Sequence, residues 1–130
     1  MKIPENLYYT NDHEWVRVDG DEAVFGITDY AQGELGDIVY LELPSALDDI
    51  KQGEQFGEIE AVKAAAKMYA PVSGKVIEVN EALEQEPELI NQSPFENGWI
   101  VKVQLTDKAE VAKLLTSEAY KNLLEKPEGE

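Results

Sequence analysis

The chain contains no cysteine and a single histidine, His13, among its 130 residues. A protein without cysteine has no disulfide framework, no thiol nucleophile and no thiolate ligand for a metal. One histidine cannot build a classical zinc site, and catalysis by a nucleophile paired with histidine would depend on this one residue. The sequence also lacks a glycine-rich phosphate-binding loop. These absences together argue against a freestanding enzyme and against a metal site.

Basic residues are scarce as well. Lysine and arginine total 11 against 27 acidic residues, which gives a formal net charge of −16. The excess is concentrated in residues 1–62, where three basic residues face fifteen acidic ones. A charge of this sign repels phosphate backbones and anionic lipid surfaces. The sequence therefore predicts a protein that binds neither nucleic acid nor anionic membranes.

Long apolar runs are missing too. No stretch is apolar enough to span a bilayer, and the first six residues, Met-Lys-Ile-Pro-Glu-Asn, lack the hydrophobic region of a signal peptide. The chain is 43% hydrophobic and 29% charged, values that are ordinary for a soluble domain of this length. We expect one domain over residues 1–130, monomeric and located in a bacterial cytoplasm. The mature form of a mitochondrial protein would look similar.

Two segments share one order of predicted elements: a strand, a capped short helix and a second strand. The first runs from strand 24–27 to strand 38–43, and the second from strand 76–79 to strand 99–105. A chance likeness of short β segments is the alternative to a quasi-two-fold β structure. The capping residues are Thr28 and Asn80. Because strand side chains alternate, we expect these residues to share a face within each final strand: Val39, Leu41 and Leu43, and Val101, Val103 and Leu105.

The C-terminal segment has a different periodicity. Asp107 and Glu110 have the spacing of a capping box, and apolar residues then recur every fourth position from Val111 to Leu123. This pattern predicts an amphipathic helical extension over residues 107–126, broken near Thr116. The last residues, 126–130, are expected to fray.

Lys63 lies between the two similar segments and is followed by three alanines. Helix propensity alone predicts a helix over residues 60–68. If the two halves pair symmetrically, the same residues instead form a hairpin with Lys63 near its tip. An exposed lysine among small neighbours is what an acyl-transferring ligase needs to reach, whereas most single lysines are solvated surface charges. The pattern by itself leaves these interpretations open.

The sequence resembles the H-protein family of the glycine cleavage system from about residue 3 to residue 105. The similarity extends over a long series of motifs in family order and is therefore specific. The matching segments are Tyr9-Thr-Asn-Asp-His13-Glu14-Trp15-Val16, Gly26-Ile-Thr-Asp-Tyr30-Ala-Gln32, Leu35-Gly-Asp-Ile-Val39, Glu60-Ala-Val-Lys63-Ala64, Ala70-Pro-Val-Ser-Gly74, Val79-Asn-Glu-Ala-Leu83, Leu89-Ile-Asn91 and Gly98-Trp99.

The resemblance implies a mainly β fold: a lipoyl-domain-like flattened β-sandwich or barrel with quasi-two-fold symmetry, short connecting helices and a C-terminal α-helix. It implies that residues 60–68 form a strand, a turn and a strand, with lipoate attached to Lys63 at the tip. It implies a non-catalytic carrier that shuttles the aminomethyl intermediate and reducing equivalents between glycine decarboxylase (P protein), aminomethyltransferase (T protein) and dihydrolipoamide dehydrogenase (L protein). A lipoate ligase or an octanoyl/lipoyl transferase would load the lysine.

Three further residues match family positions. Glu60 and Gly74 correspond to positions with which lipoyl-type domains present the hairpin to the ligase, and Glu14 to a carboxylate in the cleft where the loaded arm docks. Each has an alternative of equal weight: Glu60 as a surface carboxylate, Gly74 as an ordinary turn glycine and Glu14 as one more exposed acid. His13 is expected to be structural, and the two tryptophans, Trp15 and Trp99, to belong to the core. The chain departs from the common family pattern at these positions near Lys63: Ala61, Ala66 and Lys67.

Other carriers and one different class of protein remain as alternatives. Biotinyl domains usually place methionine on both sides of the lysine, whereas the flanking residues here are Val62 and Ala64. Lipoyl domains of 2-oxo-acid dehydrogenases typically have aspartate before the lysine. An H-like protein that relays lipoate to other lipoate-dependent enzymes would have the same tip sequence. An unmodified acidic interaction module would use the net charge of −16 to attract basic partners.

Overall fold

The computed structural model describes residues 1–125 and arranges them as two antiparallel β-sheets with short helices. The strands are β1 (Tyr8–Tyr9), β2 (Glu14–Asp19), β3 (Glu22–Ile27), β4 (Ile38–Glu42), β5 (Asp49–Ile50), β6 (Gln55–Ala61), β7 (Ala65–Tyr69), β8 (Gly74–Val79) and β9 (Val101–Leu105). The helices are α1 (Asp29–Leu35), α2 (Ala82–Gln85), α3 (Leu89–Gln92), a 3₁₀-helix (Lys108–Lys113) and α4 (Ser117–Glu125). None of these helices is long and apolar enough to cross a membrane.

The larger sheet has the strand order β1-β2-β3-β9-β8-β5, and the smaller has the order β4-β6-β7. The main core cluster draws buried residues from both sheets, such as Phe25 and Val103 from the larger and Ile59 and Met68 from the smaller. Apolar faces of two sheets pack in this way in a β-sandwich. The predicted mainly β sandwich with short helices and a C-terminal helix is confirmed, and within residues 1–125 the sheets do not close into a barrel.

The repeated segments are only partly equivalent in the sheets. The strands β3 and β8, which the repeat equates, both pair with β9 and lie on either side of it. The strand β4, which the repeat equates with β9, lies instead in the smaller sheet beside β6. The two segments therefore share their order of elements but differ in the hydrogen-bond partners of their final strands.

The side-chain alternation is confirmed for β9 and wrong for β4. Val101, Val103 and Leu105 are all buried. In β4, however, the pairing register with β6 shifts between Ile38 and Tyr40, because a bulge inserts an extra residue there. Ile38 is consequently buried, whereas Val39 is 53% exposed and does not share the buried face of Leu41.

The two predicted helix caps behave differently. Thr28 caps α1 as predicted, since its hydroxyl accepts a hydrogen bond from the amide of Ala31. The predicted cap at Asn80 is wrong: α2 begins after Glu81 and has no side-chain cap. The Asn80 amide instead donates to the carbonyls of Asn97 and Trp99, at 2.9 and 2.8 Å. It holds together the long loop that precedes β9.

The C-terminal segment is not one helix. After the 3₁₀-helix, Leu115 pairs with Tyr9 through two backbone hydrogen bonds of 2.8 and 2.7 Å, and α4 then begins at Ser117. The predicted break near Thr116 is confirmed. Glu110 does not complete the capping box, because its carboxylate accepts hydrogen bonds from the amide and hydroxyl of Ser73. Lys126, the final residue of the predicted extension, and the tail 126–130 lie outside the described residues.

Candidate functional site

Lys63 lies at the tip of the hairpin formed by β6 and β7. The turn is closed by a hydrogen bond of 2.7 Å from the amide of Ala61 to the carbonyl of Ala64. The helix that propensity favours over residues 60–68 is therefore wrong, and the strand–turn–strand arrangement that the resemblance implies is confirmed. The strands are favoured over a helix because their alternate residues, such as Ile59 and Met68, are buried in the core.

The tip is exposed but held in place. The amide of Val62 donates a 3.0 Å hydrogen bond to the carbonyl of Asp37, which joins the turn to the start of β4. Lys63 and the two alanines that follow it are exposed, and within the described part of the chain the Lys63 ammonium forms no ion pair. The amine therefore projects from a fixed turn with little side-chain bulk around it.

Glu60 and Lys67 flank the tip on its two strands. Glu60 is exposed on β6, where it lies opposite Tyr40 of β4 and Ala65 of β7. Lys67 is exposed on β7, opposite Glu58. A cation thus follows Lys63 on the same hairpin, at one of the positions where the chain departs from the family pattern.

Gly74 lies away from the tip, at the first position of β8. A Cβ atom at this position would come within 2.6 Å of the Gln104 carbonyl oxygen and 2.9 Å of the Val103 Cβ. Real Cβ atoms essentially never approach that closely, and the carbonyl cannot move without disturbing the β8–β9 pairing. Packing of the larger sheet is therefore sufficient to require glycine here.

We expect Gly74→Ala to lower the free energy of unfolding by about 3 kcal/mol, because overpacking in a well-packed interior costs roughly 1–3 kcal/mol or more. Urea unfolding followed by tryptophan fluorescence measures the change. Gly33→Ala is the matched control: a Cβ at Gly33 meets nothing within 4 Å, and alanine favours α1, so this variant should be at least as stable as the parent. Equal stability of Gly74→Ala and the parent would contradict the packing role.

Glu14 is buried, with only 2% of its surface exposed. Its carboxylate accepts hydrogen bonds from the Thr10 hydroxyl at 2.9 Å and from the Tyr69 amide at 3.1 Å. Burial raises the pKa of Glu14 to about 8, although these two hydrogen bonds lower it. The carboxyl group therefore keeps its proton to a higher pH than an ordinary glutamate, and its contact with Tyr69 joins it to the strand that carries the hairpin tip.

A cleft of about 260 Å³ lies over Glu14. Its polar lining includes Thr10, Asp12 and Gln52, and its apolar lining includes Pro71. The arrangement can receive a small polar group, to which Glu14 would offer a proton as an acid or a charge as a carboxylate. The alternative that Glu14 is one more exposed acid is wrong, because the side chain is enclosed.

His13 has a structural environment. Its Nδ1 lies 2.9 Å from the Tyr120 hydroxyl, which in turn lies 2.8 Å from the Thr28 hydroxyl. Burial lowers the pKa of His13, against the opposing charges of Asp12 and Glu34. The neutral imidazole can thus serve as a hydrogen-bond partner that joins α4 to the sheet. Sequence reasoning missed Tyr120, although it belongs to the apolar side of α4.

The two tryptophans differ in their surroundings. Trp15 is fully buried, and its indole N–H donates to the Pro94 carbonyl at 2.9 Å, which agrees with a core position. Trp99 is only partly buried and lines a second, larger groove between β4 and β8. Sequence reasoning also missed this groove, because the residues that line it come from segments far apart in the chain.

Comparison with known proteins gives consistent results. The family model for the glycine cleavage H-protein matches residues 7–127. The glycine cleavage system H protein of Staphylococcus carnosus is 52% identical over 124 residues, which cover 95% of this chain and 98% of the relative. That of Halothermothrix orenii is 53% identical over 128 residues, 98% of this chain and all of the relative. The crystal structure of a glycine cleavage system H protein from Mycobacterium marinum is 36% identical, with a TM-score of 0.86 over 93% of this chain and 98% of that one.

Proposed function

This chain belongs to the glycine cleavage H-protein family and is a lipoyl carrier of the glycine cleavage system, and we propose that its lipoyl group is attached to Lys63 through an amide bond. The observation that carries this proposal is the position of Lys63 at an exposed hairpin tip among small side chains. A loading enzyme must bring an activated acyl group to the lysine nitrogen, and nothing in the described structure blocks that approach.

The surroundings of Lys63 fit such a group. When attached, lipoate supplies a strained cyclic disulfide that opens readily on nucleophilic attack and on reduction. The hairpin holds the attachment point in place, because the hydrogen bond from the Val62 amide to the Asp37 carbonyl fixes the turn. The Lys63 side chain is exposed, so the far end of the lipoyl arm would be free to move. A tether on a fixed root raises the local concentration of the disulfide at a partner's active site.

Glu14 is the residue that we assign to the far end of the arm. The cleft above it is large enough for a small polar group, and the carboxyl group forms the only buried acid among residues 1–125. A protonated amine that entered the cleft would pair with the carboxylate and lower the pKa of Glu14. The side chain would then hold the amine while the arm moves between enzymes.

The partners follow from this role. We propose that the chain, as a non-catalytic carrier, meets the decarboxylase, the aminomethyltransferase and the dihydrolipoamide dehydrogenase of glycine cleavage, and that a lipoate ligase or an octanoyl/lipoyl transferase loads it. The net charge of −16 favours basic docking surfaces on these enzymes and accelerates encounters at low ionic strength.

Mass spectrometry of the protein from its native cells tests the attachment. We expect an increase in the intact mass equal to one lipoyl group, and fragmentation should locate it on the peptide that contains Lys63. Reconstitution of glycine cleavage with the three partner enzymes then tests the pathway. An unmodified protein from lipoate-replete cells, which also failed to accept lipoate from a ligase, would contradict the proposal.

A further inference from the structure

A groove of about 890 Å³ lies between β4 and β8, away from the cleft over Glu14. Its apolar lining includes Tyr40 and Ile77, whose side chains are 56% and 42% exposed. Trp99 and Leu43, both partly buried, continue this apolar surface. Exposed apolar side chains gathered in one concave surface are characteristic of a binding site.

Both strands that line the groove carry an irregularity next to the exposed apolar residue. The β4–β6 register shifts between Ile38 and Tyr40, and the β8–β9 register shifts between Val76 and Glu78, on either side of Ile77. A bulge changes the direction in which a side chain points, and bulges are frequent beside functional sites. Here the two bulges accompany the exposure of Tyr40 and Ile77 in the groove.

The groove is also flanked by unpaired strand edges. The strand β4 pairs with β6 on one side only, and within residues 1–125 the backbone of residues 39–42 forms no hydrogen bond outside that pair. The strand β8 pairs with β5 only at Gly74 and Lys75, so residues 77–79 have no backbone hydrogen-bond partner on that side among the residues that the structure describes. Free edges of this kind can accept an added strand.

The charge of the groove decides which occupant it can take. Its lining contains four carboxylates, no lysine, no arginine and no histidine, and none of the four forms an ion pair with the described residues. The carboxylates are Glu42, Glu78, Glu81 and Glu84. A second copy of this chain would bring a further charge of −16, and nucleic acid would bring phosphates, so both are repelled. Only a basic partner complements this surface.

We propose that the groove binds an extended segment of a partner protein in which lysine or arginine alternates with apolar residues, added as a strand along the free edge of β4. Because strand side chains alternate, Tyr40 and Glu42 share the exposed face of β4, so the basic face of such a segment would lie beside them while its apolar face would pack on Ile77. This interaction uses no part of the Lys63 tip and does not require that the lysine be modified.

The test titrates the full-length, unmodified protein, labelled with nitrogen-15, with the blocked peptide Lys-Val-Lys-Val-Lys-Val. We expect the amide resonances of residues 39–42 and 77–79 to shift. Glu81→Lys combined with Glu84→Lys should weaken binding about tenfold or more. The matched control combines Glu54→Lys with Glu125→Lys, which changes the net charge equally at exposed positions outside the groove, and it should weaken binding far less.

Two further measurements separate a bound strand from a diffuse ionic contact. A peptide with the same sequence but methylated on alternate backbone nitrogens cannot donate the hydrogen bonds of an added strand, so it should bind at least about tenfold more weakly. Ile77→Thr removes the apolar contact without changing charge and should also weaken binding. Three results would each overturn the proposal. The two pairs of charge reversals could weaken binding equally, the methylated peptide could bind as tightly as the unmethylated one, or the amide shifts could be confined to other surfaces. Since the protein is unmodified, these results are independent of the attachment at Lys63.

Discussion

A Lys63→Arg chain is expected to accept no lipoyl group and to support no glycine cleavage in a reconstituted system. Acyl transfer needs an amine that can lose its proton and attack a carbonyl carbon, whereas the arginine guanidinium stays protonated at any accessible pH. The substitution keeps the charge and approximate length of the side chain at an exposed position, so the fold should be unaffected. The intact mass after incubation with lipoate, ATP and a lipoate ligase measures acceptance directly.

Lys67→Arg is the matched control for this experiment. Lys67 is exposed on the same hairpin, four residues from Lys63, and it lies on β7 rather than in the turn. This variant should accept one lipoyl group, as the parent does. An adduct of undiminished yield on the Lys63→Arg chain would contradict the assignment and move the attachment site to another lysine.

The hairpin shows how far the sequence determines this site. Helix propensity over residues 60–68 reflects local chain preferences, which are worth only tenths of a kcal/mol per residue. Burial of residues such as Phe56, Ile59 and Met68 contributes about 1.5–3 kcal/mol for each side chain and therefore outweighs propensity. The resemblance of the segment Glu60-Ala-Val-Lys63-Ala64 to the family placed the turn correctly, because it implies a fold in which these residues pack against the core, which local propensity does not report.

The features that could not be predicted share one physical cause. The exposure of Val39, the burial of Glu14 and the hydrogen bonds of Asn80 all depend on contacts between residues far apart in the chain. A bulge displaces one residue from an otherwise regular alternation, and its position depends on the partner strand rather than on the residues themselves. Each of the two strands that line the groove, β4 and β8, contains such an irregularity, and the linear pattern gives no sign of either.

Glu14→Gln is expected to change how stability depends on pH. In the unfolded chain Glu14 loses its proton near its ordinary pKa of 4.5, whereas in the folded chain burial raises the pKa to about 8. Between these values the folded state binds more protons than the unfolded state, so its stability falls as the pH rises from about 4.5 to about 8. Above pH 8 this loss reaches its full value, at most about 5 kcal/mol.

The glutamine variant removes this titration but not the burial. Its side-chain carbonyl can still accept one of the two hydrogen bonds, from Thr10 or from Tyr69, but its NH₂ group cannot accept the other. We therefore expect the variant to be less stable than the parent by about 1 kcal/mol at pH 5 and more stable above pH 8, with a crossover between them. Urea unfolding at intervals from pH 5 to pH 9 measures both curves.

Glu60→Gln provides the control for the loss of one negative charge. Glu60 is exposed on β6, so its substitution should give a stability difference that stays nearly constant over the same pH range. A constant difference for Glu14→Gln as well would contradict a buried, protonated Glu14. A crossover for Glu14→Gln alone would mean that the folded chain holds a proton in the cleft. The desolvation that keeps the carboxyl group neutral is then a cost, which a cationic amine entering the cleft would have to offset by pairing with the carboxylate.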